Sequence, residues 1–396
     1  MILNFTLWLK FNRNIGCTMI KSVKKIVRFI IIPVYIACFF SGLFGMGISG
    51  QAINFILLYL GMWSFVNRKI PVSNYILSAI FMLFYFILYW TDLFNYVASG
   101  LLLPDKWVFY GLIYTILVLG YGFYYLIKRW HDKYQVMRTI SVMFVQLILA
   151  FILPQVLKIL INKEYYFSYL WPLKIEYFYP SVIFKYPQSI IIYSFIASLV
   201  LTPILAILIG KRFYCSWICG CGGLAETFGD QYRHLSDKSN RAWQFEKISI
   251  HSVLVISIIT TIIIFLNWYF TNQQMANSTL NTVTEILKNF YSYVVSVILA
   301  GIAGVGFYPV LGSRVWCRFF CPMAAMIGLI QKIGRYKITV KDNMCISCGN
   351  CSTYCEMGID VRSYAQANTS FTRASCVGCG LCAHVCPRGV LKLENK

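Results

Sequence analysis

Eight cysteines near the C-terminus stand in two runs of identical spacing, and they are the first candidates for chemistry. Both runs read C-x2-C-x2-C-x3-C, and Pro387 follows the second. This spacing is typical of cubane [4Fe–4S] clusters, because three thiolates of one run hold a cluster and the fourth reaches the neighbouring cluster. The rule predicts two ligand sets: Cys345, Cys348, Cys351 and Cys386 for one cluster, and Cys376, Cys379, Cys382 and Cys355 for the other.

Two other uses of so many cysteines fit less well. Zinc sites prefer paired C-x2-C motifs far apart, and disulfide frameworks belong to short secreted domains. Glu356 stands where a proline would follow Cys355, and we expect it to alter the turn and the cluster potential without removing a ligand. The runs therefore predict an electron-transfer protein with two [4Fe–4S] clusters.

The composition indicates a membrane protein. Of the 396 residues, 59% are hydrophobic and 12% are charged, which is typical of a polytopic α-helical protein. The formal charge of +21 comes from basic residues between apolar segments, so the positive-inside rule explains it better than a nucleic-acid partner does. Thiolate-held clusters need a reducing compartment, which predicts a cytoplasmic C-terminal domain.

The apolar segments predict about eight transmembrane helices, with both termini in the cytoplasm of a bacterium and the helices in its inner membrane. The predicted spans are 27–46, 51–67, 73–92, 107–127, 139–160, 188–210, 249–270 and 290–311. We expect a basic cytoplasmic segment at 1–26, a transmembrane helical domain at 27–336, and a small α+β ferredoxin-like domain at 337–396. Ile338–Lys341 and Val390–Leu393 are predicted as the strands of that last domain.

A second cysteine motif occurs twice, each time after an apolar span. One copy is Cys215-x3-Cys219 and the other is Cys317-x3-Cys321-Pro, each with a glycine, an arginine and an aromatic residue at equivalent positions before it. On a helix, residues at i and i+4 share a face, so the four thiols could converge below the bilayer. A third iron–sulfur site, a redox-active dithiol pair and a purely structural role all remain open. Cys221, at the end of the segment 215–221, is a further cysteine that belongs to neither C-x3-C pair.

Several other features have both a structural and a functional interpretation. We interpret Arg212 and Arg314 first as positive-inside anchors and second as residues that tune the charge around a cluster. We interpret the aromatic loop 161–187 as an interfacial belt, with a quinone entrance or a docking face on the outer side as the alternative. The run 322–335 is predicted as an amphipathic helix packed at the membrane interface.

The cysteine motifs together resemble those of the membrane polyferredoxin family of the NapH/NosR type. Cys317-Arg-Phe-Phe-Cys321-Pro322 matches the family motif in full, whereas Gly220 replaces the proline after Cys219. The resemblance covers about residues 188–396. It implies electron transfer between the quinone pool or a cytoplasmic donor and a membrane or exported reductase, as a quinol dehydrogenase or relay subunit with a partner redox subunit. An assembly factor that reduces a metal such as copper for another enzyme is the alternative.

Overall fold

The computed structural model describes residues 47–66, 70–275 and 278–395, together with scattered residues between 24 and 38. The chain forms two compact units, Met1–Val97 and Ala98–Lys396. The predicted basic segment 1–26 lies almost entirely outside the described residues, and so does more than half of the predicted span 27–46. All the cysteine motifs belong to the second unit, which therefore contains the candidate sites.

The first unit is described mainly by two helices, Gly47–Phe65 and Val72–Trp90. They contact each other through buried side chains, and the Ser78 hydroxyl donates a hydrogen bond of 3.2 Å to the sulfur of Met62. These residues thus form a helical hairpin.

Among the described residues, six helices are long and apolar enough to cross a bilayer. They are Val72–Trp90, Lys106–Lys128, Lys133–Ile161, Gln188–Leu208, Asn240–Asn272 and Ser278–Gly306. These candidate spans are consistent with a multi-pass α-helical membrane protein. The predicted number of eight is not confirmed, because the span predicted at 51–67 forms Gly47–Phe65, which is not one of the six.

The last two predicted spans correspond to two of these helices: the first lies inside its helix, and the second begins within its helix and extends five residues beyond its end. The span predicted at 249–270 is the helix Asn240–Asn272, whose N-terminus is capped by Ser239 through a hydrogen bond from the Ala242 N–H. The span predicted at 290–311 is Ser278–Gly306. Polar residues begin both helices, so apolar content alone could not locate the first turns.

Three of the long helices contain a wide, π-helical stretch. These stretches are Val145–Ile152, Ala197–Leu201 and Tyr291–Ala303. The first two end just before Pro154 and Pro203, and proline has no N–H with which to continue the ladder of hydrogen bonds. Such wide turns change which side chains a helix presents, and they occur often at functional sites.

The segment between Lys133–Ile161 and Gln188–Leu208 enters the helix bundle. The Trp171 indole donates to the Thr261 hydroxyl at 3.1 Å, and the Trp171 N–H donates to Ser198 Oγ at 3.1 Å. Tyr165 and Ile175 are fully buried. The interpretation of this aromatic segment as an interfacial belt is wrong for these residues, because their polar atoms find partners on the helices.

The remaining helices are short. Two are 3₁₀-helical, Ile175–Phe178 and Phe228–Leu235, and Trp316–Phe320, which contains Cys317, is π-helical. The others are Leu93–Gly100, Pro180–Ile183, Arg212–Cys215, Gly220–Glu226, Tyr308–Leu311, Pro322–Gln331, Asn350–Thr353, Val361–Gln366 and Leu381–His384.

The C-terminal segment contains two strands, β1 (Tyr336–Val340) and β2 (Leu391–Asn395). They pair antiparallel, with Ile338 opposite Leu393. Both strands were predicted, with boundaries that differ by one or two residues. Their pairing brings the two ends of the ferredoxin-like segment together around the eight cysteines.

The helix Pro322–Gln331 is a buried connection and not the interfacial amphipathic helix that was predicted. Met323 and Ile327 are fully buried, and so is Gln331. The Gln331 amide accepts a hydrogen bond of 2.6 Å from the Lys211 N–H and donates to the Cys376 carbonyl at 3.1 Å. The helix is therefore covered on both sides, by a cysteine motif and by the ferredoxin-like segment.

Candidate iron–sulfur sites

The first set of ferredoxin-type cysteines surrounds a cavity near the surface. Its lining includes Cys345, Cys348, Cys351 and Cys386, and its volume is about 360 Å³. The backbone turns between the cysteines at Gly349, whose φ of +81° is accessible to glycine without strain. The structure thus brings the fourth cysteine of one run to the triplet of the other.

The second set surrounds a cavity of about 390 Å³. Its lining includes Cys355, Cys376, Cys379 and Cys382. Four thiols around one concavity are the donor set that a [4Fe–4S] cubane takes, so the residues at both cavities fit such a cluster. The ligation itself remains a prediction.

The backbone around Cys379 packs closely against the first turns of the helix Lys133–Ile161. The Tyr134 hydroxyl donates to the Gly378 carbonyl at 2.6 Å, and the Gln135 amide donates to the Cys379 carbonyl at 2.9 Å. A Cβ on Gly380 would lie 2.7 Å from the Tyr134 ring. The second set is therefore held against the membrane helices, whereas Cys348 of the first set is exposed.

The four cysteines of the duplicated motif converge although they come from segments about a hundred residues apart. We call Cys215, Cys219, Cys317 and Cys321 the membrane-edge group. All four belong to one buried cluster, and their exposed fractions are between 4% and 6%. Burial raises the pKa of the Cys215 and Cys317 thiols to about 11, with Cys219 also raising and Arg314 lowering both values. Four buried thiols near one another are the donor type that an iron–sulfur cluster takes, but the described side chains include no group of three or more such residues already placed to hold a metal ion.

The two copies of the motif share a backbone feature, a glycine of positive φ before the cysteines, and differ in how the following helix is capped. Gly210 and Gly312 both have positive φ, +80° and +95°, and each reverses the chain between a preceding helix and the cysteines. In the second copy, Cys321 also caps the helix that begins at Pro322, because its sulfur accepts a hydrogen bond of 3.4 Å from Ala324 N–H. The side chain of Cys219 makes no such cap.

The interpretation of Arg314 as a membrane anchor is wrong. Its side chain is 1% exposed and forms ion pairs of 2.5 Å with Glu226 and 3.2 Å with Glu356. Its guanidinium also donates to the Cys215 carbonyl at 3.1 Å and lies 3.8 Å from the Cys317 sulfur. Arg212, at the equivalent position, lies instead over the Tyr336 ring, 5.3 Å from its centroid.

Two further buried arginines connect these carboxylates to the second ferredoxin-type set. Arg233 pairs with Glu356 at 3.2 Å and lies 3.5 Å from the Cys379 sulfur. Arg138 pairs with Glu226 and donates to the Cys379 carbonyl at 3.0 Å. Although burial opposes ionisation, Arg233 and Arg314 hold the pKa of Glu356 below its ordinary value.

Sequence reasoning noticed only part of this arrangement. Glu356 attracted attention because it departs from the expected proline, but Glu226, Arg138 and Arg233 were not identified. The sequence feature that could have indicated these residues is the scarcity of charge. In a chain with 12% charged residues, a glutamate beside glycines and cysteines is unusual. Their partners are remote in sequence, so that signal could not have paired them.

Comparison with known proteins agrees with the geometry. A family model described as a 4Fe-4S dicluster domain matches residues 338–393, which contain both ferredoxin-type runs. A second family, described as a 4Fe-4S binding domain, matches twice, at 191–242 and at 293–341. Each of those matches contains one copy of the duplicated motif. The chain therefore carries 4Fe–4S binding domains of the ferredoxin type.

A curated relative is similar over part of its length. The protein named "Putative electron transport protein YccM" of Escherichia coli (strain K12) is 25% identical over 157 residues. The alignment covers 39% of this chain and 44% of the relative, so less than half of that protein is represented. No solved structure matches the chain significantly. These matches do not single out the NapH/NosR type.

Proposed function

We propose that this protein transfers electrons through three iron–sulfur sites, two in the C-terminal ferredoxin-like domain and one at the membrane-edge group. The observation that carries the proposal is that the buried thiols of Cys215, Cys219, Cys317 and Cys321 lie close enough to interact electrostatically with one another. Ser216, beside Cys215, also contacts the Val377 carbonyl, next to Cys376 of the second ferredoxin-type set. Bound clusters would supply one-electron oxidation and reduction.

The chain's own residues have distinct tasks in this proposal. Cysteine thiolates hold the three sites, and the exposed Cys348 places the first set where a soluble or membrane partner can approach it. Tyr134 and Gln135 fix the backbone around Cys379, and Gln331 fixes it at Cys376. The protein's role is to hold the sites at constant separation and to exclude water from the inner two.

The donor and acceptor belong to the same proposal. A quinol is a mobile electron carrier that dissolves in the lipid of a bilayer, and the six apolar helices of the described residues would bring the chain into contact with that lipid. We therefore place the protein in the bacterial inner membrane as a quinol dehydrogenase or relay subunit of a larger redox system, with the domain 337–396 in the cytoplasm. The electron-transport name of YccM supports this class of function.

The test is iron and acid-labile sulfide per chain, on protein purified without oxygen, with EPR of the reduced form. Three cubanes predict about twelve irons, falling to about eight in Cys317→Ser. Cys38→Ser, which changes a cysteine outside all the motifs, is the matched control and should leave the iron content unchanged. About eight irons in the unmodified protein would remove the third site, and zinc in place of iron would remove the proposal.

A further inference from the structure

Five buried charged residues lie between the membrane-edge group and the second ferredoxin-type set. We call them the bridge network: Arg138, Arg233, Arg314, Glu226 and Glu356. Each is at most 4% exposed, in a chain with few charges. Burying so many charges is costly, which indicates a function beyond stability.

The network is continuous from one cysteine group to the other. At one end Arg314 lies 3.8 Å from the Cys317 sulfur, and at the other Arg233 lies 3.5 Å from the Cys379 sulfur. Glu356 connects these two arginines, since each of its carboxylate oxygens lies 3.2 Å from one of them. A single carboxylate therefore links the arginines that contact the two groups.

A second connection runs in parallel through Glu226. Its carboxylate pairs with Arg314 and Arg138, and the latter donates to the Cys379 carbonyl. Ser216, next to Cys215, shares its one hydroxyl proton between two acceptors, the Glu226 carboxylate at 3.0 Å and the Val377 carbonyl at 2.8 Å. Both cysteine groups are thus joined by hydrogen bonds as well as by charge.

The charges of the network do not cancel. Three guanidinium groups face two carboxylates, and the neighbouring pair of Arg129 and Asp230, 2.7 Å apart, adds one charge of each sign. One positive charge remains in a buried region, where charges interact strongly because the effective dielectric constant is low. Reduction of a thiolate-ligated cubane adds one negative charge, so this excess favours the reduced form at both ends.

We propose that the bridge network sets the reduction potentials of the membrane-edge group and of the cluster at Cys355, Cys376, Cys379 and Cys382 together, and keeps both above that of the exposed first set. This inference rests on the proposed function, because it requires clusters at both ends. An electron that enters at the exposed set would then pass downhill in energy to the buried pair. The residues act through charge and do not themselves react.

The test is a redox titration monitored by EPR on the anaerobic full-length protein, after iron has been counted. Glu356→Gln removes one negative charge with little change in shape, and we expect it to shift the potentials of both buried sites upward. Asp105→Asn makes the same change of charge at a carboxylate that pairs with Lys158 and contacts neither cysteine group. It should move neither potential.

A milder variant tests the same inference in case Glu356→Gln does not fold. Ser216→Ala removes a neutral hydrogen bond and leaves every charge in place, so Glu226 loses a donor and both potentials should shift slightly downward. Fully loaded variants with unchanged potentials, or with a shift at one site only, would overturn the inference. Too few irons in the unmodified protein would instead refute the three-site proposal itself.

Discussion

The first ferredoxin-type set and the membrane-edge group use the same side chain in opposite settings. The first set takes three of its four cysteines from one short run, and Cys348 is exposed. The membrane-edge group takes two cysteines from each of two distant segments, and all four are buried. One site is built by local backbone turns, and the other depends on the packing of the whole second unit.

The arginines near the two sites differ in the same way. Arg362 and Arg388 line the cavity of the first set and are exposed, so water screens their charges. Arg314 beside the membrane-edge group is buried and paired with two glutamates. The comparison indicates that a cation at the exposed site affects how a redox partner approaches. A cation at the buried site affects folding and the reduction potential of a bound cluster.

The largest effect should come from removing the buried cation. In Arg314→Met, Glu226 and Glu356 lose a partner inside the protein, and breaking a buried ion pair in this way costs about 3–5 kcal/mol. We expect a large loss of thermal stability in detergent, together with loss of iron from the membrane-edge group. Arg362→Met is the control at the exposed site and should change stability by less than about 0.5 kcal/mol. Equal losses of stability in the two variants would contradict the proposed difference between the buried and the exposed arginine.

A glycine substitution should separate packing from backbone strain. An alanine Cβ at Gly210 would lie 2.5 Å from the Tyr336 Cβ, in addition to the strain of a φ of +80°. We expect Gly210→Ala to cost more than about 2 kcal/mol. Gly389→Ala meets nothing within 4 Å at a φ of +58°, so it should cost only about 1 kcal/mol. Chemical unfolding curves of both variants would measure the difference, and a reversed order would refute it.

The smallest effect concerns the segment that enters the helix bundle. Tyr214 precedes Cys215 in the chain. Its hydroxyl donates to the Ser168 carbonyl at 2.5 Å, and both groups are buried. Tyr214→Phe should cost about 1 kcal/mol, the usual value of one hydrogen bond. The exposed bond from Tyr193 to the Phe167 carbonyl offers a control, and Tyr193→Phe should cost less. Thermal melts would decide, and no loss in Tyr214→Phe would show that this contact is dispensable.

The features that follow from a local pattern of residues could be predicted from the sequence. The two ferredoxin-type runs, the apolar helices and the closing strand near Val390 each follow from residues that lie close together in the chain. The pairing of β1 and β2 could also be anticipated, because both strands flank the cysteine runs.

The charged residues could not be predicted in the same way. Beside an apolar span, an arginine such as Arg314 has the pattern of an anchor at the membrane surface. Its partner Glu226 lies 88 residues away, and only the fold brings the two together. The eight-span prediction depended on apolar content, which could not locate the polar first turns of helices.

The entering segment 162–187 has a consequence for how far an electron would have to travel. Ser198, which accepts from Trp171 N–H, lies ten residues into the helix Gln188–Leu208, or about 15 Å along its axis at 1.5 Å per residue. That is about half of a 30 Å hydrocarbon core. Because the Tyr214 hydroxyl donates to the Ser168 carbonyl, this segment links the residue before Cys215 to the middle of that helix through covalent and hydrogen bonds alone. An electron that left the membrane-edge group toward the other face of the bilayer would have a bonded path for the first part of that distance.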